Sequence, residues 1–312
     1  MLDFSNSKIL IVGDVMLDKY YFGKVDRISP EAPVPIVNIQ KEESRLGGAS
    51  NVANNIVSLG GHSLLCGVIG HDLFGKEIER ISRHKNIDTF LLKTSSPTIT
   101  KARIIGGKQQ IVRVDYEDKS ELNADNKKLF RDTISRILLE YDILVISDYG
   151  KGLISEDLCR YLIKLAHKYD KKVIIDPKGK NWEKYSGADI VTPNVKELSD
   201  IVGYTVPNTD RAIEKAAREA ITNNHLTALL VTRSDKGMSL IGPIPPIHIP
   251  THSEEVFDVS GAGDTVVATL GLCLAAGFEI SEAMRTANIA AGIVVKKVGT
   301  ATLTIEELVQ QK

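Results

Sequence analysis

The hydrophobic positions of this chain form short continuous runs that alternate with amphipathic stretches. The apolar runs of strand length lie at 8–14, 142–147, 172–176, 189–192 and 228–232. Stretches in which apolar residues recur with helical spacing lie at 126–140, 156–169 and 209–223. Apolar strands separated by helices predict a mostly parallel sheet that helices cover on both faces. We therefore expect an α/β fold with three layers, in the order helix, sheet, helix.

Two segments depart from this alternation. Residues 20–40 contain three prolines among alternating apolar residues, which predicts an edge strand whose prolines limit further pairing. Residues 98–115 alternate around a Gly-Gly pair and predict a hairpin. We expect a single domain over 1–312 with a small sheet, from about 17–40 and 98–115, that serves as a lid or a dimer surface. Two surface hairpins without a role are the alternative.

Composition narrows the class of protein. The 312 residues are 43% hydrophobic and 25% charged with a formal net charge of −1, as in soluble globular proteins. This balance gives no electrostatic reason to expect nucleic acid or a membrane as a partner, and no apolar run approaches the ~20 residues of a membrane span. The N-terminus lacks a signal-peptide pattern, and Cys66, Cys159 and Cys273 are far apart. We expect buried thiols and a cytoplasmic location.

The most informative stretch is 258–264, which joins a glycine turn to a carboxylate. Gly261, Ala262 and Gly263 leave backbone N–H groups unobstructed at the start of an apolar helix, where the helix dipole favours an anion. A carboxylate beside a phosphate site needs another reason to be there, and removal of a proton from an attacking hydroxyl is one. We therefore expect Asp264 to act as a base. An ordinary capped helix is the alternative.

Polar residues also end several predicted strands. They are Asp14, Asp148, Asp176, Asn194 and Ser234. Ligands bind beyond the carboxyl ends of parallel strands, so these positions are candidate site residues, and the carboxylates of Asp14 and Asp148 suit sugar hydroxyls. The candidate groups for neutralising a substrate phosphate are Arg103, Arg113, Lys151 and Lys178. Each of these cations has an ordinary alternative as a solvated surface charge.

Two further motifs have both a functional and an ordinary interpretation. Gly47-Gly48 before a helix that contains Asn51 is suited to bind a polyhydroxy ligand or a phosphate, although such pairs are commonly only turns. Asn194 and Glu197, three residues apart at a helix start, offer hard oxygen ligands for Mg²⁺ through water. A capping box fits the same pattern. The spacings of a P-loop, a dinucleotide fingerprint, a zinc hydrolase and a nucleophile elbow are missing from the sequence.

In their order along the chain these motifs resemble those of the ribokinase-like carbohydrate kinases, also called the phosphofructokinase B family. The likeness covers nearly the whole chain, with 47–53 first, 194–197 next and 258–264 last. A closer likeness, to the subgroup that acts on D-glycero-β-D-manno-heptose 7-phosphate, is carried by four segments. They are 13–18, 27–35, 147–152 and 176–179. The resemblance implies a ribokinase-like three-layer α/β/α fold with a small β-sheet lid.

The resemblance also implies roles for individual residues. Asp264 would be the catalytic base, and the amides of Gly261, Ala262 and Gly263 would form the anion hole. The residues implied to hold ATP are Asn194, Glu197, Thr232, Ser234 and Gly237, of which the first two would also organise Mg²⁺. The residues implied to hold the sugar are Asp14, Gly47, Gly48 and Asn51.

The implied function is ATP-dependent phosphorylation of the anomeric hydroxyl of the heptose 7-phosphate, giving the 1,7-bisphosphate for ADP-heptose and lipopolysaccharide core synthesis. The alternatives are a related kinase of fructose, ribose or a hexose phosphate, a non-catalytic sugar- or nucleotide-binding protein, and an interaction module that uses the lid. The family also suggests a monovalent cation and a homodimer formed through the lid. Many related proteins carry a C-terminal nucleotidyltransferase, so a stand-alone kinase and a segment of a bifunctional protein both stay open.

Overall fold

A computed structural model describes residues 2–118, 122–252 and 256–311. The strands are β1 Lys8–Gly13, β2 Val15–Ile28, β3 Pro35–Gly48, β4 His62–Gly70, β5 Asp88–Thr94, β6 Thr100–Gly106, β7 Gln109–Tyr116, β8 Ile143–Ser147, β9 Lys172–Asp176, β10 Ile190–Val191, β11 Leu229–Thr232, β12 Met238–Ile241 and β13 Ile247–Ile249. The α-helices are α1 Ala49–Ser58, α2 Leu73–His84, α3 Ala124–Ile137, α4 Glu156–Lys168, α5 Val195–Val202, α6 Asp210–Asn224, α7 Ala262–Ala275, α8 Ile280–Val294 and α9 Ile305–Gln311. Short 3₁₀ turns lie at Leu138–Glu140, Glu183–Tyr185 and Ser234–Lys236.

The main sheet has nine strands in the order β13-β12-β11-β10-β9-β8-β1-β4-β5. Every neighbouring pair from β11 to β5 is parallel, and only β12 and β13 add antiparallel edges. All five apolar runs that predicted strands are strands of this sheet. The predicted mostly parallel α/β architecture is therefore confirmed.

Side chains of each central strand point alternately into two separate cores. On β1, Ile9 and Ile11 pack into one core together with apolar residues of α1, α7 and α8. Leu10 and Val12 pack into the other, together with residues of α3, α4 and α6. A strand buried on both faces requires the continuous apolar runs seen in the sequence. The three-layer arrangement follows from this double burial and is confirmed.

The antiparallel edge of the main sheet was not expected. The segment 243–250 lies outside the apolar runs that predicted strands, but Ile247–Ile249 forms β13 and pairs with β12. Pro246 and Pro250 bracket this short strand. Proline cannot donate a backbone hydrogen bond, so a strand between two prolines is confined to a sheet edge.

A second sheet has four strands in the order β3-β2-β6-β7. The predicted hairpin is present, because β6 and β7 are joined by a turn at Gly107, whose φ is +64°. The prediction of one edge strand over 20–40 was wrong: this segment contributes to two strands, and Pro30 and Pro33 lie in the turn between them. This sheet, here called the lid sheet, extends beyond the predicted bounds because β3 continues to Gly48.

The first hairpin of the lid sheet is joined to β1 of the main sheet at one end and to helix α1 at the other. Only Asp14 separates β1 from β2, and α1 begins directly after Gly48. These junctions lie at the carboxyl edge of the main sheet, where ligands bind in such folds. No helix within the described ranges is both long and apolar enough to cross a bilayer.

Close approach of β1 and β8 makes Gly13 a position that should not tolerate a side chain. A Cβ at Gly13 would lie 2.2 Å from the carbonyl oxygen of Ser147, which is backbone and cannot rotate away. We expect Gly13→Ala to lower the free energy of unfolding by ~3 kcal/mol, measured by urea denaturation. Gly271→Ala in α7 is the matched control, because its Cβ would meet only ordinary contacts at 3.8 Å and longer. The control should be neutral or slightly stabilising, and equal losses in both variants would contradict the packing argument.

Candidate active site

The carboxylate of Asp264 is buried in the first turn of α7 and is held by two distant parts of the chain. Asn51 Nδ2 donates to Asp264 Oδ2 at 2.7 Å. The Tyr149 hydroxyl donates to Asp264 Oδ1 at 2.7 Å. The carboxylate is thus fixed in orientation by one donor on each oxygen, which is how a base is aligned before its substrate arrives.

Burial raises the pKa of Asp264 to about 6. The hydrogen bonds from Asn51 and Tyr149 oppose this rise because they stabilise the charged form, and the positive charge of Lys101 acts in the same direction. The negative charge of Asp18 adds to the rise. A carboxyl group with a pKa near the working pH is both deprotonated and basic enough to take a proton.

The glycine turn before α7 forms one wall of a cavity of about 200 Å³. Gly261 has a φ of +79° and begins the helix without a side-chain cap. Among the described residues, the N–H groups of Gly261 and Gly263 have no hydrogen-bond acceptor, whereas the N–H of Ala262 donates to the Val259 carbonyl at 3.2 Å. Two of the three amides predicted to form an anion hole are therefore available. The Ala262 amide is used by the turn itself.

The opposite wall of this cavity comes from the ends of β9 and β10 and the start of α5. Asn194 Oδ1 accepts from the Glu197 amide at 2.9 Å, and Glu197 Oε2 accepts from the Asn194 amide at 3.1 Å. These bonds form the capping box that was the ordinary alternative for this pair. Lys178 Nζ bonds to Glu197 Oε1 at 2.8 Å. Lys178, a candidate for the acceptor's phosphate, therefore lies with the predicted ATP and Mg²⁺ residues instead.

Asp176 lines the same cavity, and its carboxyl group has a strongly shifted pKa. Its pKa is raised well above the ordinary value by burial and by the negative charges of Asp264 and Glu197. No cluster of three or more acidic, histidine or cysteine side chains suited to a metal occurs among the described residues. The crowding of Asp176 and Glu197 nevertheless fits a hydrated divalent cation, because a cation would relieve their repulsion through bridging water.

The predicted nucleotide residues divide into two positions. Thr232, at the end of β11, lines the cavity and forms a β-bridge with Asn194. Ser234 and Gly237 lie in the turn between β11 and β12, where both have positive φ values, of 53° and 76°. A Cβ at Gly237 would lie 2.0 Å from the carbonyl oxygen of Ile249, so this turn requires glycine there.

Asp14 and Asn51 carry buried acceptor atoms that the protein leaves unused. Asp14 Oδ2 accepts from the amides of Tyr149 at 2.8 Å and Lys151 at 3.0 Å. Asp14 Oδ1 and Asn51 Oδ1 are buried and have no hydrogen-bond partner within the described part of the chain. Burial raises the pKa of Asp14 to about 6. Unsatisfied buried acceptors are costly, so these two oxygens are suited to the hydroxyl donors of a ligand.

The two glycines before α1 lie where the chain passes from the lid sheet into the helix with little space for side chains. Gly48 has a φ of +56°, which allows α1 to begin without a connecting loop. A Cβ at Gly47 would lie 2.4 Å from Asp18 Oδ2, so a side chain there would displace this carboxylate. Beside Asp14, a cavity of about 470 Å³ lies at the carboxyl ends of β4 and β5 and includes Lys151.

Asp148 has a different environment from the one expected of a sugar ligand. Its Oδ2 accepts from the Tyr185 hydroxyl at 2.6 Å and from Lys184 Nζ, and its Oδ1 accepts from the Gly150 amide at 2.8 Å. The side chain is buried and its oxygens are engaged. These contacts favour a role in holding the turn that carries Tyr149, in place of direct contact with a sugar.

The remaining basic candidates lie on or beside the lid sheet. Arg103 on β6 is directly opposite Arg113 on β7 in the strand register. Like charges in opposite positions of a sheet are destabilising, and each arginine has an acidic partner: Arg103 bonds to Asp18 at 2.6 Å and Arg113 to Asp115 at 2.8 Å. Lys151 pairs with Glu117.

Tyr149 and Lys101 lie at the site, although neither is among the candidate residues that the sequence motifs indicate. The strand-end rule selected Asp148 and passed over Tyr149, the next residue. Lys101 lies two residues before Arg103 on a strand, and the period of two therefore puts both on one face. Its ammonium lies 5.7 Å from the centre of the Tyr149 ring.

The sequence matches the pfkB family carbohydrate kinases over residues 6–307. It is 46% identical to the bifunctional protein HldE of Haemophilus influenzae over 98% of this chain and 63% of that protein. It is 44% identical to a D-beta-D-heptose 7-phosphate kinase of Bordetella bronchiseptica over 97% of this chain and 96% of that protein. The chain thus spans less than two thirds of the bifunctional relative and nearly all of the second one.

Two solved structures share the fold. The phosphofructokinase-2 of Escherichia coli in complex with potassium superposes with a TM-score of 0.80 at 20% identity, over 97% of both chains. The ribokinase of Arabidopsis thaliana complexed with ribose and ATP gives 0.76 at 19% identity, over 98% of both chains. The expected ribokinase-like fold is confirmed by this similarity. The chain belongs to the pfkB family of carbohydrate kinases.

The bond from Tyr149 to Asp264 gives a prediction about pH. Without this bond the Asp264 carboxylate is less stable, so its pKa should rise further above its ordinary value. A base must be deprotonated to act, and Tyr149→Phe should therefore move the acidic limb of kcat/KM to higher pH by about one unit. The loss in rate should shrink as pH rises above the shifted limb.

Tyr204→Phe is the matched control for this variant. Its hydroxyl also bonds to a carboxylate, that of Glu219 at 3.0 Å, but the pair is exposed and far from the site. The control should leave the pH profile unchanged. A rate loss in Tyr149→Phe that is the same at every pH would show that the tyrosine does not lower the pKa of Asp264.

Proposed function

We propose that this protein transfers the γ-phosphoryl group of ATP to the anomeric hydroxyl of D-glycero-β-D-manno-heptose 7-phosphate, giving the 1,7-bisphosphate and ADP. The observation that carries the proposal is the buried Asp264 carboxylate, aligned by Asn51 and Tyr149 beside the bare amides of Gly261 and Gly263. A base next to an anion hole is what phosphoryl transfer to a hydroxyl requires.

The reaction follows from this geometry. Asp264 takes the proton as the hydroxyl oxygen attacks the γ-phosphorus, and the bond from that phosphorus to the bridging oxygen of ADP breaks. The amides of Gly261 and Gly263 stabilise the charge of the transferred group. Most of the acceleration is expected from positioning and charge neutralisation, since the protein forms no covalent bond.

ATP is proposed to bind on the side of the cavity formed by Asn194, Glu197 and Thr232. Lys178 lies there in an ion pair with Glu197, and it would exchange this partner for the phosphates. Asp176 and Glu197 would hold Mg²⁺ through water, where it would neutralise phosphate charge. Ser234 and Gly237 are proposed to lie along the nucleotide beyond the cavity. A monovalent cation stays a prediction, and the potassium in the E. coli phosphofructokinase-2 structure is its support.

The acceptor is proposed to bind on the other side of Asp264. The unused oxygens of Asp14 and Asn51 would accept its hydroxyl groups, and Gly47 and Gly48 would let the ring approach. The cavity of about 470 Å³ beside Asp14 is within the size range of small-molecule sites. Arg103 and Arg113 remain candidates for the phosphate of the acceptor.

The choice of heptose is supported by two named relatives. The D-beta-D-heptose 7-phosphate kinase of B. bronchiseptica matches along nearly its full length, and HldE matches over 63% of its own. Membership of the ADP-heptose pathway of lipopolysaccharide synthesis is proposed on the same ground. Kinase activity on another sugar, or binding without catalysis, is the alternative.

A panel of acceptors tests this choice directly. Heptose 7-phosphate, fructose, ribose and fructose 6-phosphate are supplied with ATP and Mg²⁺, and ADP release is measured. We expect the highest kcat/KM with heptose 7-phosphate. A higher kcat/KM with another sugar would identify that sugar as the substrate. Tight binding of ATP and sugar without ADP release would indicate a sensor protein without kinase activity.

Asp264→Asn tests the base. The variant should fold and bind ATP but lose turnover by ~10²-fold or more, the usual scale for a lost general base. Steady-state kinetics and nucleotide titration by calorimetry measure the two properties. Asp132→Asn, an exposed aspartate on α3, is the control and should keep wild-type turnover. Near-normal turnover in Asp264→Asn would show that Asp264 is not the catalytic base.

A cytoplasmic location is proposed because Cys66, Cys159 and Cys273 are buried thiols.

The protein is proposed to form a homodimer through the lid sheet. The face of the lid sheet opposite to Arg103 carries Val112 and Val114, which are 45% and 39% exposed. Exposed apolar residues on a sheet are favourable contacts for a second copy.

Replacement of both valines tests the dimer. Val112→Glu with Val114→Glu should convert a dimer into a monomer, measured by light scattering after size exclusion, because burying two carboxylates opposes association. Leu129→Glu, at a 50% exposed position on α3, is the matched control and should remain dimeric. A monomeric wild-type protein at micromolar concentration would contradict the proposed assembly.

A further inference from the structure

Three basic side chains on the face of the lid sheet toward Asp264 form a cluster with a fourth from the main domain. Lys101 and Arg103 alternate along β6, Arg113 is opposite Arg103 on β7, and Lys151 follows the turn after β8. The charges of Arg103, Arg113 and Lys151 all act on Lys101. This group, here called the lid cation cluster, is close enough for its members to repel one another.

Three members of the lid cation cluster have a carboxylate partner. Arg103 pairs with Asp18, Arg113 pairs with Asp115 and Lys151 pairs with Glu117. Asp115 is the register neighbour of Lys101 on β7, yet its two oxygens bond to Arg113 at 2.8 and 2.9 Å. Asp18 on β2 is the other register neighbour of Lys101, and its Oδ1 accepts from Arg103 at 2.6 Å. Both carboxylates that flank Lys101 in the sheet therefore already have an arginine partner.

Lys101 is the exception in the cluster. Within the described ranges, its ammonium has no hydrogen-bond acceptor and no ion-pair partner, and it lies 5.7 Å from the centre of the Tyr149 ring. The side chain is partly buried, and burial together with the neighbouring cations lowers the pKa of Lys101, although the negative charge of Asp18 opposes this fall. A desolvated, unpaired ammonium is costly, and an anionic ligand would remove that cost.

An anion bound to Lys101 would occupy a site separate from that of the ATP phosphates. The cavity that contains the amides of Gly261 and Gly263 is lined by described residues that all lie outside the lid sheet. Tyr149 lies between that cavity and Lys101, because its hydroxyl bonds to Asp264 and its ring contacts the ammonium. Lys101 is therefore on the acceptor's side of the base.

We infer that Lys101 is the specific anchor for the phosphate group of the acceptor, with Arg103 as the neighbouring cation. The inference rests on the proposed function, because it assumes that the acceptor is a sugar phosphate. Arg103 is the natural second group, since it lies two residues further along the same strand and already balances Asp18. An incoming phosphate would give Lys101 the partner that the described residues do not supply.

The test compares one sugar phosphate with its dephosphorylated form. The acceptor is the phosphosugar that the wild-type protein turns over best in the panel, so a different sugar would change the proposed function and leave this test intact. Lys101→Met keeps the length of the side chain and removes its charge. We expect KM for the phosphosugar to rise ~10-fold or more, while KM for the dephosphorylated sugar stays within about threefold of wild type. Because the charge of Lys101 favours the deprotonated form of Asp264, kcat is compared at a pH above the acidic limb of both proteins, where it should stay within about threefold for both acceptors.

Two controls separate binding from folding. Lys108→Met removes an exposed charge from the turn of the same hairpin and should leave both KM values unchanged. The unfolding temperature of ligand-free Lys101→Met should equal or exceed that of the wild type, because an unpaired buried charge has been removed. Addition of the phosphosugar should then raise the unfolding temperature of the wild type more than that of the variant.

Three results would overturn the inference. Equal increases in KM for both acceptors would make Lys101 a structural or sugar-ring contact. A fall in kcat with unchanged KM for the phosphosugar would indicate that Lys101 contacts the transferred γ-phosphoryl group and not the phosphate of the acceptor. Turnover of unphosphorylated sugars alone by the wild type would leave no acceptor phosphate to bind.

Discussion

The whole site depends on keeping one carboxylate charged where water is excluded. Asp264 is buried at the start of α7, and burial alone pushes its pKa upward. Donors from Asn51 and Tyr149 restrain that rise and fix the direction of both oxygens. These donors come from α1, which follows the lid sheet, and from the turn after β8. The main sheet brings them together because its parallel strands all end at one edge.

The fold was largely predictable because its cause is local and repeated. A strand buried on both faces must be apolar throughout, and the five central runs showed this directly. The edges were less predictable, since β13 has three residues between prolines and β10 has two. Such strands exist because a neighbour is present to pair with, which is information that a short window of sequence does not contain. The prolines of the lid were seen, but their position in a turn depends on the pairing of β2 with β3.

The site was predictable where backbone chemistry and residue type agree, as at Gly261 and Asp264. It was less predictable where a side chain had two suitable uses. Asp148 and Lys178 are chemically fit to touch an acceptor, yet Tyr185 and Lys184 engage the first and Glu197 the second. Ala262 has a backbone amide like its neighbours, but the turn consumes it. These outcomes depend on which partners the tertiary fold supplies, and spacing along the chain does not encode them.

The connection between β3 and α1 has a mechanical consequence. The strand ends at Gly48 and the helix starts at the next residue, while Asp14 alone joins β1 to β2. The lid sheet therefore has no slack at its base on this side, and its first hairpin cannot swing as a free flap. Displacement of β3 must be transmitted to the first turn of α1, where Asn51 holds the base. A ligand that displaces β3 would therefore also move the Asn51 donor that orients the Asp264 carboxylate.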